Sequence, residues 1–157
     1  MASPIKSYRD LDAWQVAMSL TELMYAAVKN LPPTERFELN PQMRRASVSV
    51  PSNIAEGQSS GADGLYIRHP RIACGSLGEL GTQVEIARRL SLLPQTQLSD
   101  LEEHLARTGQ VLHGLLRSRL QKRRRQVGSA LLAGFCVGAG PGGLATLGQR
   151  LFVSLLT

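Results

Sequence analysis

A dense basic run near residue 120 is the part of the sequence best suited to chemistry. The run has the sequence RSRLQKRRRQ, and its cations fall within nine positions: Arg117, Arg119, Lys122, Arg123, Arg124 and Arg125. Arginine binds phosphate oxygens through two parallel N–H groups, and each phosphate that a cation neutralises releases a counterion to solvent. The run therefore predicts a surface that binds polyanions. The alternative is a solvated helix end that only keeps the protein soluble.

The charge distribution agrees with a polyanionic partner. The net charge is +6, and residues 95–126 contribute +4 of it because they hold 7 basic and 3 acidic groups. Arg88 and Arg89 are further surface cations that would extend the binding surface. The whole chain has 1 Trp, 3 Tyr and 3 Phe, too few for stacking platforms that recognise single-stranded bases. We expect contacts to the shape and phosphates of RNA or DNA, largely without base specificity.

Catalysis has little support in the sequence. His69, His104 and His113 share no i, i+4 spacing, and Cys74 and Cys136 form no CxxC pair, so neither a metal site nor a disulfide scaffold is indicated. No serine or cysteine has a recognisable base partner. We expect a non-enzymatic protein without a cofactor or a metal.

Residues 127–157 contain two patterns, a possible dinucleotide-binding turn and a possible membrane span, and the surrounding sequence supports neither. Gly138, Gly140 and Gly143 fit GxGxxG, but only 14 residues follow, which leaves no second strand and no acidic residue for a ribose. The uncharged stretch 127–149 follows KRRRQ, yet seven glycines and a proline interrupt any span of the length a membrane needs. We expect a Gly-rich apolar extension at 127–157 that is poorly ordered or loosely docked, with no membrane role.

Four amphipathic segments precede that extension. Apolar residues at three- and four-residue steps predict helices over Leu11–Leu31, 41–59 and about 64–92, and a fourth that begins near Thr96 or Ser99 and ends near Gln126. Asp10, Asn40 and Ser99 are the expected N-caps. Short connections between the helices predict an all-α antiparallel up-down four-helix bundle over residues 7–126.

The second helix contains SVSV (47–50), which alternates like a strand, followed by Pro51. The seven-residue spacing of Met43, Val50 and Gly57 explains a longer stretch, so we predict a helix that is kinked at Pro51. The proline frees the carbonyl of Ser47, and the nearby serines 47, 49 and 52 are the expected donors to it. Asn53 on the apolar side would fix the register of the bundle, unless it lies exposed on a frayed turn.

The third segment is the weakest helix. Pro70 interrupts it, and Gly75, Gly78 and Gly81 each destabilise a helix by about 0.5–1 kcal/mol relative to alanine. These small residues either loosen the helix or allow another helix to approach closely.

Three stretches resemble a known family: YRDLDAWQVAM, RFELNPQMRRASVSVPSNIAEG and IACGSLGELGTQVEIARRL. They are similar to the four-helix-bundle proteins encoded in intervening sequences of bacterial 23S ribosomal RNA genes, a family that includes accessory proteins of diversity-generating retroelements. The resemblance covers roughly residues 7–120. It implies a homopentamer with a basic surface, nucleic-acid binding and no catalytic residue. The motif residues, which the resemblance suggests are mostly structural, are Arg44, Arg45, Pro51, Asn53, Glu56, Gly57, Ser76 and Glu79.

The sequence departs from the family pattern at some places. QSSGADG follows the second helix where members tend to have basic residues, and Pro70 replaces a bulky apolar residue. Residues 127–157 match nothing in the family. Arg44 and Arg45 would pair with Glu56, Glu79 or Glu85, a role we favour for Arg45, either inside the bundle or across a subunit interface.

The first expectation is a cytoplasmic homo-oligomer that binds RNA or DNA through a basic surface dominated by residues 117–125. We expect a cytoplasmic location because the N-terminus lacks the apolar core of a signal peptide. The second expectation is an oligomeric scaffold for a protein partner, such as a retroelement reverse transcriptase, with the cations steering assembly.

Overall fold

The computed structural model describes residues 6–60 and 65–137, with side chains at 6–60 and 66–129. Four α-helices account for most of these residues: α1 Asp12–Ala27, α2 Leu39–Ser59, α3 Leu65–Arg89 and α4 Gln95–Val137. Short 3-10 turns occupy Tyr8–Asp10, Val28–Asn30 and Pro33–Arg36. The described residues contain no strand. The all-α prediction is therefore confirmed, and SVSV is helical.

The chain forms two compact units, residues 1–120 and 121–157. In the first unit, each of two apolar clusters receives side chains from all four helices. One contains Leu20, Met24, Met43, Leu80, Val84, Leu98 and Leu101. The other contains Ala13, Ala17, Val50, Ile54, Ala73 and Leu112.

The order in which the residues of a helix belong to the two clusters gives the direction of that helix. Along α1, residues of the second cluster precede residues of the first cluster. This order is reversed in α2, and it reverses again in α3 and in α4. Neighbouring helices are thus antiparallel, as an up-down bundle requires. The predicted architecture is confirmed.

Pro51 lies inside α2, and the carbonyl that it leaves free is satisfied from another helix. Thr21 Oγ1 of α1 is 2.9 Å from the carbonyl oxygen of Ser47 and 2.9 Å from that of Ala17. Ser47 is 1 % exposed, so water cannot serve instead. The prediction that a nearby serine repairs this bond is wrong. The Ser47 hydroxyl donates to the backbone carbonyl of Arg44, that of Ser49 pairs with Ser76, and Ser52 is exposed.

Three predicted helix caps also have different roles. The carboxylate of Asp10 accepts from the backbone N–H groups of Lys6 and Ser7, and so caps the preceding 3-10 turn rather than α1. Helix α2 starts before Asn40, whose side-chain amide donates to the carbonyl of Val28 at the end of α1. Ser99 lies inside α4, which begins at Gln95. Leu11 and Glu38, at the cap positions of α1 and α2, make no side-chain cap hydrogen bond.

Helix α3 continues through Pro70. The proline is buried in the second turn of the helix, where it removes one hydrogen bond. A Cβ placed on Gly75, Gly78 or Gly81 would meet nothing within 4 Å, so these glycines do not allow close approach inside the chain. Ile72 and Leu90 are exposed by 41 % and 62 %, in contrast to the apolar stripe predicted for this helix.

Helix α4 extends to Val137, eleven residues beyond the predicted end at Gln126. Residues 127–137, expected to belong to a poorly ordered extension, are therefore helical. The GxGxxG pattern and the rest of the extension, residues 138–157, lie outside the described residues.

Among the described helices, none combines the length and apolar character needed to cross a membrane.

Replacement of Thr21 by valine tests the bond across Pro51. Thr21→Val keeps the side-chain shape but leaves the buried carbonyl of Ser47 without a donor, so the free energy of unfolding should fall by about 1–3 kcal/mol in urea titrations. The control is Thr108→Val, because Thr108 is 0 % exposed and its hydroxyl donates only to the carbonyl of His104 in its own helix. Equal losses in the two variants would contradict the role assigned to Thr21.

Candidate nucleic-acid interface

The basic run of α4 divides between the two units of the chain. Arg117 belongs to the first unit and is exposed. Lys122, Arg123, Arg124 and Arg125 belong to the second unit, and all of them are exposed. No carboxylate of the described residues lies within 4.0 Å of these five cations. Their charges are available to an anion from solvent.

Arg119 differs from the rest of the run because it is held by α3. Its guanidinium carbon lies 3.9 Å from the ring centroid of Tyr66, and Nη2 donates to the phenol oxygen at 2.5 Å. Burial raises the pKa of Tyr66, and the nearby Arg119 charge only partly opposes that shift. Arg119 thus packs the end of the bundle, and sequence alone did not separate it from its exposed neighbours.

Arg88 and Arg89 of α3 share one carboxylate. Glu85 accepts two bonds of 2.7 Å from Arg88 and one of 2.6 Å from Arg89, and Arg88 is also 4.0 Å from Glu102 of α4. Bonds from the two arginines lower the pKa of Glu85 to about 2. Both arginines are exposed, as expected, but their positive charge is partly neutralised inside the chain.

A polar cluster, defined by Ser49, Ser76, Asn53, His69 and Glu56, joins α2 to α3. The hydroxyls of Ser49 and Ser76 are 2.8 Å apart, and the Asn53 amide nitrogen donates to the carbonyl and hydroxyl of Ser49. Asn53 is partly buried inside α2, so it does not lie on a frayed turn, and the register-fixing role stays a prediction. Ser76 and Glu56, both predicted motif residues, belong to the same cluster.

His69 has a fixed ring orientation in this cluster. Its Nδ1 lies 3.2 Å from Asn53 Oδ1 and 3.3 Å from Glu56 Oε2. Both atoms are acceptors. Glu56 Oε2 is a carboxylate oxygen, and Asn53 presents its Oδ1 because its amide nitrogen donates to Ser49. Nδ1 therefore carries the proton, and in the neutral ring Nε2 is the acceptor. The role of His69 was not predicted from the sequence, although Asn53 and Glu56, three apart on one helix face, are a usable signal.

Four of the remaining motif residues have contacts or buried positions inside the described chain. Arg44 lies over the ring of Tyr25 at 4.8 Å, and Glu79 accepts a hydrogen bond from Gln83. Pro51 and Gly57 are buried on the core side of α2. Arg45 is exposed, and within the described residues no carboxylate lies within 4.0 Å of Arg44 or Arg45. Pairing across a subunit interface stays a prediction.

Two other groups bear on the chemistry of the surface. In the part of the chain that the structure describes, no three histidine, cysteine or acidic residues are grouped to hold a metal ion. Burial raises the pKa of the Cys74 thiol, which favours the unreactive protonated form.

The carboxylate of Glu85, which Arg88 and Arg89 share, should make the stability of the fold depend on pH. Because Glu85 has a folded-state pKa near 2 against an ordinary value of 4.5, its bonds to the arginines stabilise the fold above about pH 4.5, and the effect is lost as the pH falls towards 2. Arg88→Ala/Arg89→Ala should return the Glu85 midpoint to about 4.5, measured by carbon NMR of the carboxyl group. A midpoint that stays near 2 in this variant would contradict the assignment to the two arginines.

None of the curated proteins matches the chain. A crystal structure of a protein with unknown function from the S23 ribosomal protein family of Bacteroides thetaiotaomicron has a TM-score of 0.62 at 16 % identity, over 67 % of this chain and 95 % of that one, which supports the fold. The family model described as 23S rRNA-intervening sequence protein matches residues 9–114. The chain belongs to the family of 23S rRNA-intervening sequence proteins.

Proposed function

We propose that the protein is a non-enzymatic oligomer that binds RNA or DNA in the cytoplasm through a basic surface, largely without base specificity. The observation that carries this proposal is the run of exposed cations Lys122–Arg125, which have no carboxylate of the described residues within 4.0 Å. Arg117, in the first unit, is exposed and free of described carboxylates in the same way. The name of the family, which refers to ribosomal RNA genes, is compatible with it. The free thiol of Cys74 suits a reducing compartment.

The position of the run inside a helix favours a binding role over a solvated end. Helix α4 continues to Val137, so these cations are not placed at a helix C-terminus, where the helix dipole would stabilise them. Like charges three or four positions apart, such as Lys122 and Arg125, instead destabilise a helix by about 0.2–0.5 kcal/mol per pair. Phosphates bound along the run would remove that repulsion.

Low base specificity is supported by two aromatic residues that are engaged inside the chain, while Phe37, which is 81 % exposed, follows the turn Pro33–Arg36 and does not lie on α4. Tyr66 is covered by Arg119, and Trp14 packs edge-on against Tyr8 with ring centroids 5.4 Å apart. Neither ring is presented as a platform for an unstacked base. Phosphate contacts then supply most of the affinity.

Salt dependence tests the proposed binding. Fluorescence anisotropy with a generic RNA and a generic duplex DNA should give affinities that fall steeply with salt and change little when the base order is shuffled. Arg123→Gln/Arg124→Gln should lower the slope of log K against log salt by up to about 1.8 on duplex DNA. The control with the same loss of charge is Lys29→Gln/Arg36→Gln. Both residues are exposed and lie between α1 and α2, outside the basic run. Binding that is absent or insensitive to salt would overturn the proposal.

Self-association is supported by the outer face of α3. Ile72, Ile86 and Leu90 are exposed by 41 %, 41 % and 62 %. Ile72 and Leu90 are 18 positions apart, five helical turns, so they lie on the same side of the helix. The open Gly75, three positions from Ile72, would let a second helix approach this face. A homo-oligomer that covers the face agrees with the pentamer implied by the family resemblance.

Light scattering tests this face. Ile72→Gln/Ile86→Gln should have a lower mass in solution than the wild type, because the substitutions place amides in an apolar contact between protomers. Phe37→Gln is the control, since Phe37 is 81 % exposed but lies outside α3. A wild-type protein that is monomeric at micromolar concentration, or a double variant with unchanged mass, would contradict self-association through α3.

The same apolar face favours a second candidate function, a scaffold for a protein partner such as a retroelement reverse transcriptase. Purification after nuclease treatment separates the candidates. A stoichiometric protein that is retained without nucleic-acid absorbance supports the scaffold, and retained nucleic acid with no protein supports the first proposal.

A further inference from the structure

The exposed stripe of α3, defined by Ile72, Glu79 and Ile86, has an acidic residue at its centre. Successive members lie seven positions apart, close to two helical turns, so they share one side of the helix. Glu79 is exposed, and among the described residues its carboxylate accepts a hydrogen bond only from Gln83 of the same helix. A surface that covers the stripe must therefore supply a cation as well as apolar contacts.

The α3 stripe is poorly suited to pairing with itself. In a two-fold contact, opposing residues come in reciprocal pairs. A parallel pair of α3 helices would bring each residue against its own copy. An antiparallel pair in which Ile72 meets Ile86 would again bring Glu79 against Glu79, because it lies midway between them. Two carboxylates in an apolar contact repel each other and lose their hydration. A different surface is therefore expected to cover α3.

Outside α3, the helices of the first unit expose two large apolar side chains among the described residues. Tyr25 of α1 and Val48 of α2 are exposed by 39 % and 40 %. Two other exposed residues of this kind, Phe37 and Val127, lie after a turn and in the second unit. An apolar contact for α3 on another helix of the bundle is therefore expected around Tyr25 and Val48.

Two arginines join these side chains into one surface, the α1–α2 patch, which consists of Tyr25, Arg44, Arg45 and Val48. The guanidinium carbon of Arg44 lies 4.8 Å from the ring centroid of Tyr25. Val48 is four positions from Arg44 and three from Arg45, so it neighbours both on the surface of α2. Neither arginine has a carboxylate of the described residues within 4.0 Å. The patch thus combines cations with apolar groups, which complements the α3 stripe.

Acidic residues of the same chain do not occupy the patch. The bond between Ser49 and Ser76 sets the level of α3 against α2. Arg45 and Glu79 are each one turn from that bond in the same direction, yet their charged groups are more than 4.0 Å apart. Asp63, the one acidic residue outside the described residues, follows α2, and about 21 Å of helix separates Arg45 from the end of α2. The cations are available to a carboxylate of another chain.

We infer that the α3 stripe of one protomer packs on the α1–α2 patch of a second copy of the chain, with Glu79 against the two arginines and the isoleucines against the apolar side chains. This inference rests on the proposed self-association and adds to it the surface that covers α3. Because the two surfaces differ, the contact is head-to-tail and can repeat from copy to copy until a ring closes, whereas a self-pairing surface stops at a dimer.

Two variants, each with one altered surface, test the inference by mixing. Arg45→Glu/Val48→Gln alters the patch and keeps the stripe, and Ile72→Gln/Ile86→Gln does the reverse. Each chain alone should assemble with a dissociation constant raised by about tenfold or more, measured by light scattering. An equimolar mixture should give a particle of two chains, because one intact stripe meets one intact patch and the other two surfaces are blocked.

Exchange of the central charges is a second test that leaves the apolar residues in place. Glu79→Arg and Arg45→Glu should each weaken assembly when alone, because like charges then meet in the contact. A mixture of the two chains should recover assembly, because the exchanged charges then oppose each other between chains. A mixture that assembles no better than either chain alone would overturn the inference.

The control for the patch variant is Ala106→Gln/Arg107→Glu, which places the same two side chains at exposed positions of α4 and should keep the wild-type mass. Circular dichroism checks that each variant keeps its helices. A patch variant with the wild-type mass would overturn the inference and leave self-association through α3 intact, and would be the result for a patch that binds an acidic protein of another kind. A monomeric wild type would overturn the proposed self-association as well.

Discussion

The bundle depends on one buried carbonyl that its own helix cannot satisfy. Pro51 has no N–H to offer Ser47, and the site is closed to water, so a donor had to come from a neighbouring helix. Thr21 supplies it from α1. A hydrogen bond of this kind tolerates little sliding or rotation, since a shift of one residue along α1 moves the hydroxyl away from the carbonyl. The proline therefore fixes how α1 and α2 pack as well as interrupting the ladder of α2.

The opposite side of α2 has a second polar contact, which places α3. Ser49 and Asn53 lie four apart on α2, and they meet Ser76 and His69, seven apart on α3, so the contact extends over two turns. Helix α3 carries a buried proline and three glycines and has weak helical propensity of its own. Satisfied polar bonds to α2, together with the apolar clusters, hold it nonetheless. The contacts of His69 and Ser76 with α2 help to position the first half of α3.

Sequence patterns predicted the helices, which follow from periodic apolar spacing. They did not predict the hydrogen bonds that join side chains of different helices. The four helices, the helical SVSV segment and the core side of α2 follow from apolar spacing, which each helix carries within itself. The Thr21 bond does not, because its partners are 26 residues apart and nothing local to either marks the other. Within the run around residue 120, residue type and spacing do not distinguish Arg117, which is exposed, from Arg119, which is bonded to Tyr66. The Glu85 pairing was readable, since i, i+3 and i, i+4 spacings favour such bonds.

Net charge by itself explains little about binding, because what matters is which cations are free and how many copies present them. Within a protomer, Arg119 is committed to Tyr66 and the Arg88 and Arg89 pair to Glu85, so the effective positive surface is smaller than the composition suggests. A small surface binds a long polyanion weakly, since exposed charges are screened beyond about 8 Å at physiological salt. Association of protomers through the apolar face of α3 would repeat the surface, and linked sites bind at high effective concentration. Self-association and phosphate binding are therefore coupled proposals, because the oligomer supplies the avidity that the single bundle lacks.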